Sequence, residues 1–192
     1  MDNSDRDFAK FQFEFWTETL GLKHTFSFDE MYDVALKKRE NKEQFRANIM
    51  KVQENIENHP NGLTGEELEK VNPLKHSFAD GCYIREIYNP ANELIITKIH
   101  KKEHPFFLMK GEMSILTETG IQHIKAPYQG ITKPGTKRAI YTHEECTFIT
   151  VHATNNTAIK DVEDEVVCTK YEDLPPGVDA LEILKQIKLK EE

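Results

Sequence analysis

Between Cys82 and His152 the chain strings together about eight short segments rich in β-branched and aromatic residues, each closed by turn-forming residues. Cys82–Tyr88 runs into Asn89-Pro90-Ala91-Asn92, and Glu93–His100 follows. Phe106–Lys110 ends at Gly111, and Met113–Thr117 ends at Glu118-Thr119-Gly120. Ile121–Ala126, Gly130–Lys133, Arg138–Thr142 and Thr147–His152 complete the series. Parallel strands need a crossover of about a dozen residues or more, and no gap here is that long. The segments therefore suggest a sandwich or a barrel and not βαβ units.

Helical patterns flank this region. Phe8, Phe11, Phe15, Trp16 and Leu20 form one apolar stripe, and Phe28, Met31, Tyr32, Ala35 and Leu36 form a second. Phe45, Ile49, Val52 and Ile56 mark a third helix, with Asn41 and Gln44 at capping-box spacing before it. His59-Pro60-Asn61-Gly62 stops that helix, and Thr64 with Glu67 opens a short one ending near Pro73. After Thr154 the chain turns acidic, and Val178–Leu189 reads as a last helix. The expected organisation is a helical region over 1–73, a β-barrel over 74–155, and an acidic linker with a C-terminal helix over 156–192.

A formal net charge of −8 disfavours nucleic acid as a partner. No apolar run approaches the roughly 18 residues that span a bilayer, and the polar N-terminus is unlike a secretion signal. Cys82, Cys146 and Cys168 are odd in number and widely spaced, which argues against a disulfide framework or a thiolate zinc knot. These features predict a soluble protein that is not secreted.

The stretches IHKKEHPFFLMKGEMSIL and PYQGITKPGTKRAIYTHEE resemble the two conserved blocks of the cupin superfamily, a jelly-roll or double-stranded β-helix barrel. Gly111 matches the glycine that ends the first block, and Pro134 with Gly135 matches the turn of the second. The resemblance implies a mainly β fold with helical extensions. At the family's ligand positions stand Lys98 and His100 for the two histidines, His104 for the glutamate, and Arg138 for the histidine of the second block. The wording HKxEHPFxLxKG…APYxGITKPGTKR is also similar to small cupin-like proteins of tailed bacteriophages.

Three readings of these residues stay open. His100 and His104 could bind a divalent transition metal (Zn, Fe, Mn or Ni), with His152 as third ligand and His143 or Glu103 as substitutes for it. Lys98 and Arg138, beside His100, could instead draw an anion or carboxylate, since the guanidinium fork matches such groups. Or the histidines simply flank the tight turn His100–Pro105 and hydrogen-bond its backbone. His100-x-x-Glu103-His104 also spells a zinc-peptidase motif, but that motif needs a helix, and here it follows a strand-like run and meets Pro105.

Most of the cupin ligand set is replaced, and no other catalytic signature appears. The leading expectation is therefore a non-enzymatic, phage-type structural or binding module, a viral protein of the host cytoplasm or the virion. It would meet a protein partner or form homo-oligomers, with the N-terminal helices as the contact surface. The rivals are a metal-dependent cupin enzyme and a small-anion sensor or inhibitor.

Overall fold

A computed structural model describes Lys10, Glu14 and residues 28–178. The chain divides into two compact units, residues 1–44 and residues 45–192. The first contributes the start of helix α1 (Phe28–Glu57), and in it Lys10 and Glu14 form an exposed i,i+4 ion pair at 4.0 Å. The aromatic stripe of residues 8–20 otherwise lies outside the described residues, as does the helix expected over residues 178–189.

Two helices expected around residues 28–36 and 45–56 are one continuous α1. The intervening Lys37–Gln44 contains neither glycine nor proline and is rich in strong helix formers. Nothing there stops the helix, so Asn41 and Gln44 are interior residues and not a cap. Short helix α2 (Gly65–Val71) stands where expected, but Thr64 makes no side-chain capping bond.

Residues 74–153 form ten strands: β1 (Leu74–Ala79), β2 (Cys82–Asn89), β3 (Leu94–Ile96), β4 (Ile99–His100), β5 (His104–Lys110), β6 (Glu112–Thr117), β7 (Gly120–Lys125), β8 (Tyr128–Thr132), β9 (Ala139–Thr142) and β10 (Cys146–Ala153). One sheet runs β1-β2-β10-β5-β8 and the other β3-β9-β6-β7. The pairings are nested: β6 with β7, β5 with β8, β3 with β9 and β2 with β10, all antiparallel. This is a long hairpin rolled so that β5 also meets β10 and β6 also meets β9. Such rolling defines the jelly roll of cupin-type barrels. The fold is thus mainly β, a cupin-type barrel with helical extensions.

Gly111 makes the turn from one sheet to the other. Its φ is +89°, and an added Cβ would lie 2.2 Å from the Glu145 carbonyl oxygen. Only glycine fits both demands.

The inside of the barrel has two halves. Phe106, Leu108, Met113, Ile115, Ile124, Ile140, Cys146 and Phe148 form an apolar floor. Burying one such side chain contributes about 1.5–3 kcal/mol, so this end carries the fold. Along β10 the inward residues then change from Cys146 and Phe148 to Thr150 and His152, and along β5 from Leu108 and Phe106 to His104. The polar residues thereby collect at one end.

The acidic segment after Thr154 is not a linker. Helix α3 (Ile159–Val166) and strand β11 (Val167–Cys168) lie across the β4–β5 turn. Val162 and Val166 recur at i,i+4 and pack on Tyr83, while the acidic residues face outward. Lys98 pairs with Glu163, Lys102 with Glu165, and the Lys101 amide donates to the Val166 carbonyl at 2.8 Å. No helix among the described residues is long and apolar enough to cross a membrane.

Candidate metal centre

His100 closes β4, His104 opens β5 and His152 nears the end of β10, and the topology brings all three to the polar end of the barrel. They are 8%, 2% and 4% exposed. Ring centroids are 4.2 Å apart for His104 and His152, 4.5 Å for His100 and His104, and 6.5 Å for His100 and His152. Two further strands frame the group. Thr132 of β8 pairs with His104, and Arg85 of β2 pairs with Thr150.

The turn Pro134-Gly135-Thr136 holds His100 from both sides. The Gly135 amide donates to the His100 carbonyl at 2.7 Å, and the His100 amide donates to the Thr136 carbonyl at 3.0 Å. Arg138 follows two residues after Thr136; its amide donates to Thr97 Oγ1 at 3.0 Å. Its guanidinium turns inward, 4% exposed for the whole residue, donates to Thr132 Oγ1 and lies 4.9 Å over the Phe106 ring.

Each histidine has one buried ring nitrogen without a partner: Nδ1 of His100, Nε2 of His104 and Nδ1 of His152. The other nitrogen of His104, Nδ1, is 3.2 Å from the Lys102 carbonyl, and Nε2 of His152 is 3.2 Å from Thr150 Oγ1. A carbonyl can only accept, so Nδ1 of His104 carries the proton. Its orphaned Nε2 is then a bare lone pair.

Burial keeps these rings neutral. It pushes His104 down to about 4, helped by the Arg138 charge and opposed by the Lys102 carbonyl. Burial, then His104, Arg85 and Lys102, push His152 down to about 3. His100 lies well below its ordinary value, again through burial first and then its neighbours His104, Arg138, His152 and Arg85. Burial alone lowers Arg138 to about 10, which leaves it charged at neutral pH.

The bare Nε2 lone pair of His104 is the kind of donor that Zn, Fe and Ni accept from imidazole. A carbonyl holding the far ring nitrogen, as Lys102 does for His104, is the usual outer support of a metal-bound histidine. As the rings now lie, no trio of His, Cys, Asp or Glu among the described residues stands arranged to hold a metal ion. Rings on a common ion have centroids about 5 Å apart at ordinary Zn–N lengths, and the three separations here fall on both sides of that value.

No protein-family model and no curated protein matches the sequence. Among solved structures, the barrel is similar to a cupin-2 domain protein from Shewanella frigidimarina, at 11% identity over 42% of this chain and 79% of that one, TM-score 0.37. It is also similar to a cupin superfamily protein from Desulfitobacterium hafniense, at 9% identity over 44% and 78%, TM-score 0.38. An acetylacetone dioxygenase from Acinetobacter johnsonii is similar at 23% identity over 43% and 58%, TM-score 0.36.

Three residues singled out in the sequence stand elsewhere. Lys98 does not line the mouth: its side chain is 51% exposed and bonds Glu163 at 3.2 Å on the outer surface. It breaks the inward alternation because β3 ends at Ile96 and β4 restarts at Ile99. His143 lies beyond β9 on the outer face, its Nε2 2.8 Å from Ser114 Oγ and its ring beside His123. Glu103 is exposed and paired with Lys133. Arg85, Thr132 and Thr150 were missed. Alternation along β2 from buried Tyr83 through Arg85 to Ile87 is the signal that could have found Arg85.

Proposed function

We propose that this chain is a cupin-type metal-binding module in which His100, His104 and His152 hold one divalent transition metal. The observation that carries this reading is the set of three orphaned, buried ring nitrogens on touching rings, one of them fixed as a lone pair by the Lys102 carbonyl. An unsatisfied buried polar atom costs about 1–3 kcal/mol, and three in one place call for a shared partner. A metal bound there supplies Lewis acidity toward an oxygen ligand. The chain's own residues keep the rings neutral by burial, fix the His104 tautomer, and close the inner side with Phe106 and Phe148. Elemental analysis of protein purified without a histidine tag tests the proposal. One Zn, Fe, Mn or Ni per chain, absent in His104→Ala, is expected; no metal after reconstitution would overturn it.

A second reading is a non-enzymatic structural module, of the tailed-phage type expected from sequence, acting in the host cytoplasm or virion through self-association or a protein partner. It draws support from the α3–β11 strap fastened over the polar end of the barrel. Under it, His100→Ala and His104→Ala leave assembly intact and the protein never takes up metal.

A further inference from the structure

The outer face of the β3-β9-β6-β7 sheet carries a second polar group, pointing away from the barrel interior. Along β6, Met113 and Ile115 are buried, so Glu112, Ser114 and Leu116 face outward. Register sets His123 of β7 opposite Ser114 on one side and Tyr141 of β9 on the other. The Glu112 carboxylate bonds Lys125 Nζ at 2.8 Å and His123 Nε2 at 2.7 Å. Lys125 first, then His123, hold its carboxyl below the usual carboxylate range. An ionised carboxylate only accepts, so Nε2 of His123 carries a proton and Nδ1 of the neutral ring is a lone pair. That lone pair lies 3.2 Å from Ser114 Oγ, which therefore donates to it. His143 Nε2, 2.8 Å away, then donates to the same oxygen. The hydrogen bonds run in one direction, from His143 through Ser114 and His123 to Glu112. This is the order of a nucleophile, its base and the carboxylate that orients the base.

From this hydrogen-bonded line we infer that Ser114 is an acylation site, taking an acyl group from an activated ester or thioester with an apolar body. The inference is independent of the metal reading. Ser114 Oγ attacks the donor's carbonyl carbon while its proton passes to His123 Nδ1. The C–O or C–S bond of the donor then breaks, and the departing oxygen or sulfur takes that proton from His123; nothing is oxidised or reduced. Glu112 stabilises the imidazolium formed in between. The donor reaches the base from solvent, since the His123 side chain is 53% exposed. Tyr141 beside Ser114, and the neighbouring pair Leu116 and Ile121, turn apolar surface outward, and this selects an apolar body. Strand β6 is paired on both sides, so the backbone amides around Ser114 serve the ladder and form no oxyanion hole. The product is therefore a slowly formed acyl-serine and not rapid turnover.

Exposing the full chain to p-nitrophenyl butyrate and following each peptide by mass spectrometry over time tests this. Ser77, exposed on β1 of the other sheet, is the internal reference. Ser114 is expected to be butyrylated about tenfold or more faster than Ser77, the lower end of what a positioned base contributes. His123→Gln should bring Ser114 to within about twofold of Ser77, and Glu112→Gln should slow it several-fold. With p-nitrophenyl acetate, which lacks the apolar chain, the ratio of Ser114 to Ser77 should fall several-fold. The wild-type ratio needs no variant, so it decides the matter even where a substitution disturbs the sheet. Ser114 labelled no faster than Ser77, acylation confined to lysines and imidazoles, or an undiminished ratio in folded His123→Gln would overturn the inference. An equal ratio with acetate and butyrate would overturn the assignment of an apolar donor.

Discussion

Acidification of the metal-free protein from pH 7 to pH 5 should destabilise it strongly. In the unfolded chain His104 and His152 titrate near 6.5, while burial holds the folded rings at about 4 and about 3. Their folded values are depressed, so the unfolded state takes up protons first and stability is lost as pH falls below 6.5. Each pH unit in that window costs about 1.4 kcal/mol per ring. From pH 7 to pH 5 the loss is about 2 kcal/mol each, roughly 4 kcal/mol together, and His100 adds a loss of the same sign. A domain of this size has about 5–15 kcal/mol in all, so the effect is large. Urea unfolding with a chelator present, at both pH values, measures it directly. The His152→Gln variant should show a pH-dependent loss smaller by about 2 kcal/mol. A wild-type loss under about 1 kcal/mol would refute the claim that neutral imidazoles are buried together here.

Three further outcomes follow from the fold. Gly111→Ala should cost at least about 2 kcal/mol, because the backbone is left-handed there and the new methyl meets the Glu145 carbonyl and Cys146 Sγ; an unchanged melting temperature would contradict this. Val162→Ala should cost about 2 kcal/mol by opening a cavity against Tyr83, read from chemical denaturation. If α3 were only a linker, the substitution would be silent. Lys98→Ala should change stability by less than about 0.5 kcal/mol and leave zinc uptake untouched, since its ion pair with Glu163 is an exposed one. Weakened zinc binding in that variant would return Lys98 to the mouth.

The barrel was legible because its signals are local. Short β-rich runs alternate with turn residues, and Gly111 and Gly135 sit where only a positive φ permits the reversal. The gathering of His100, His104 and Arg138 was implied by the resemblance to the cupin blocks, which those glycines align. Lys98 misled because the register of one strand was extended through a break that only three-dimensional pairing reveals; β3 pairs with β9 and stops at Ile96, while β4 pairs with β11. Val167 of β11 pairs with His100, 67 residues earlier in the chain, which is beyond the reach of any local pattern. Helix α3 was hidden for a different reason. Its four acidic residues lower the mean hydropathy of the segment, although Val162 and Val166 already carried the spacing of a buried stripe. The divided α1 arose from reading Asn41 and Gln44 as a cap where no breaker precedes them.

X-ray absorption at the metal edge of the zinc-reconstituted full chain tests the central claim most directly. Three imidazole nitrogens at about 2.0–2.1 Å, with light oxygen scatterers and no sulfur, are expected for a site built from His100, His104 and His152. A sulfur shell, or a spectrum unchanged in the His100→Ala, His104→Ala and His152→Ala variants, would mean that the ion sits elsewhere and that the buried histidine cluster does not hold it.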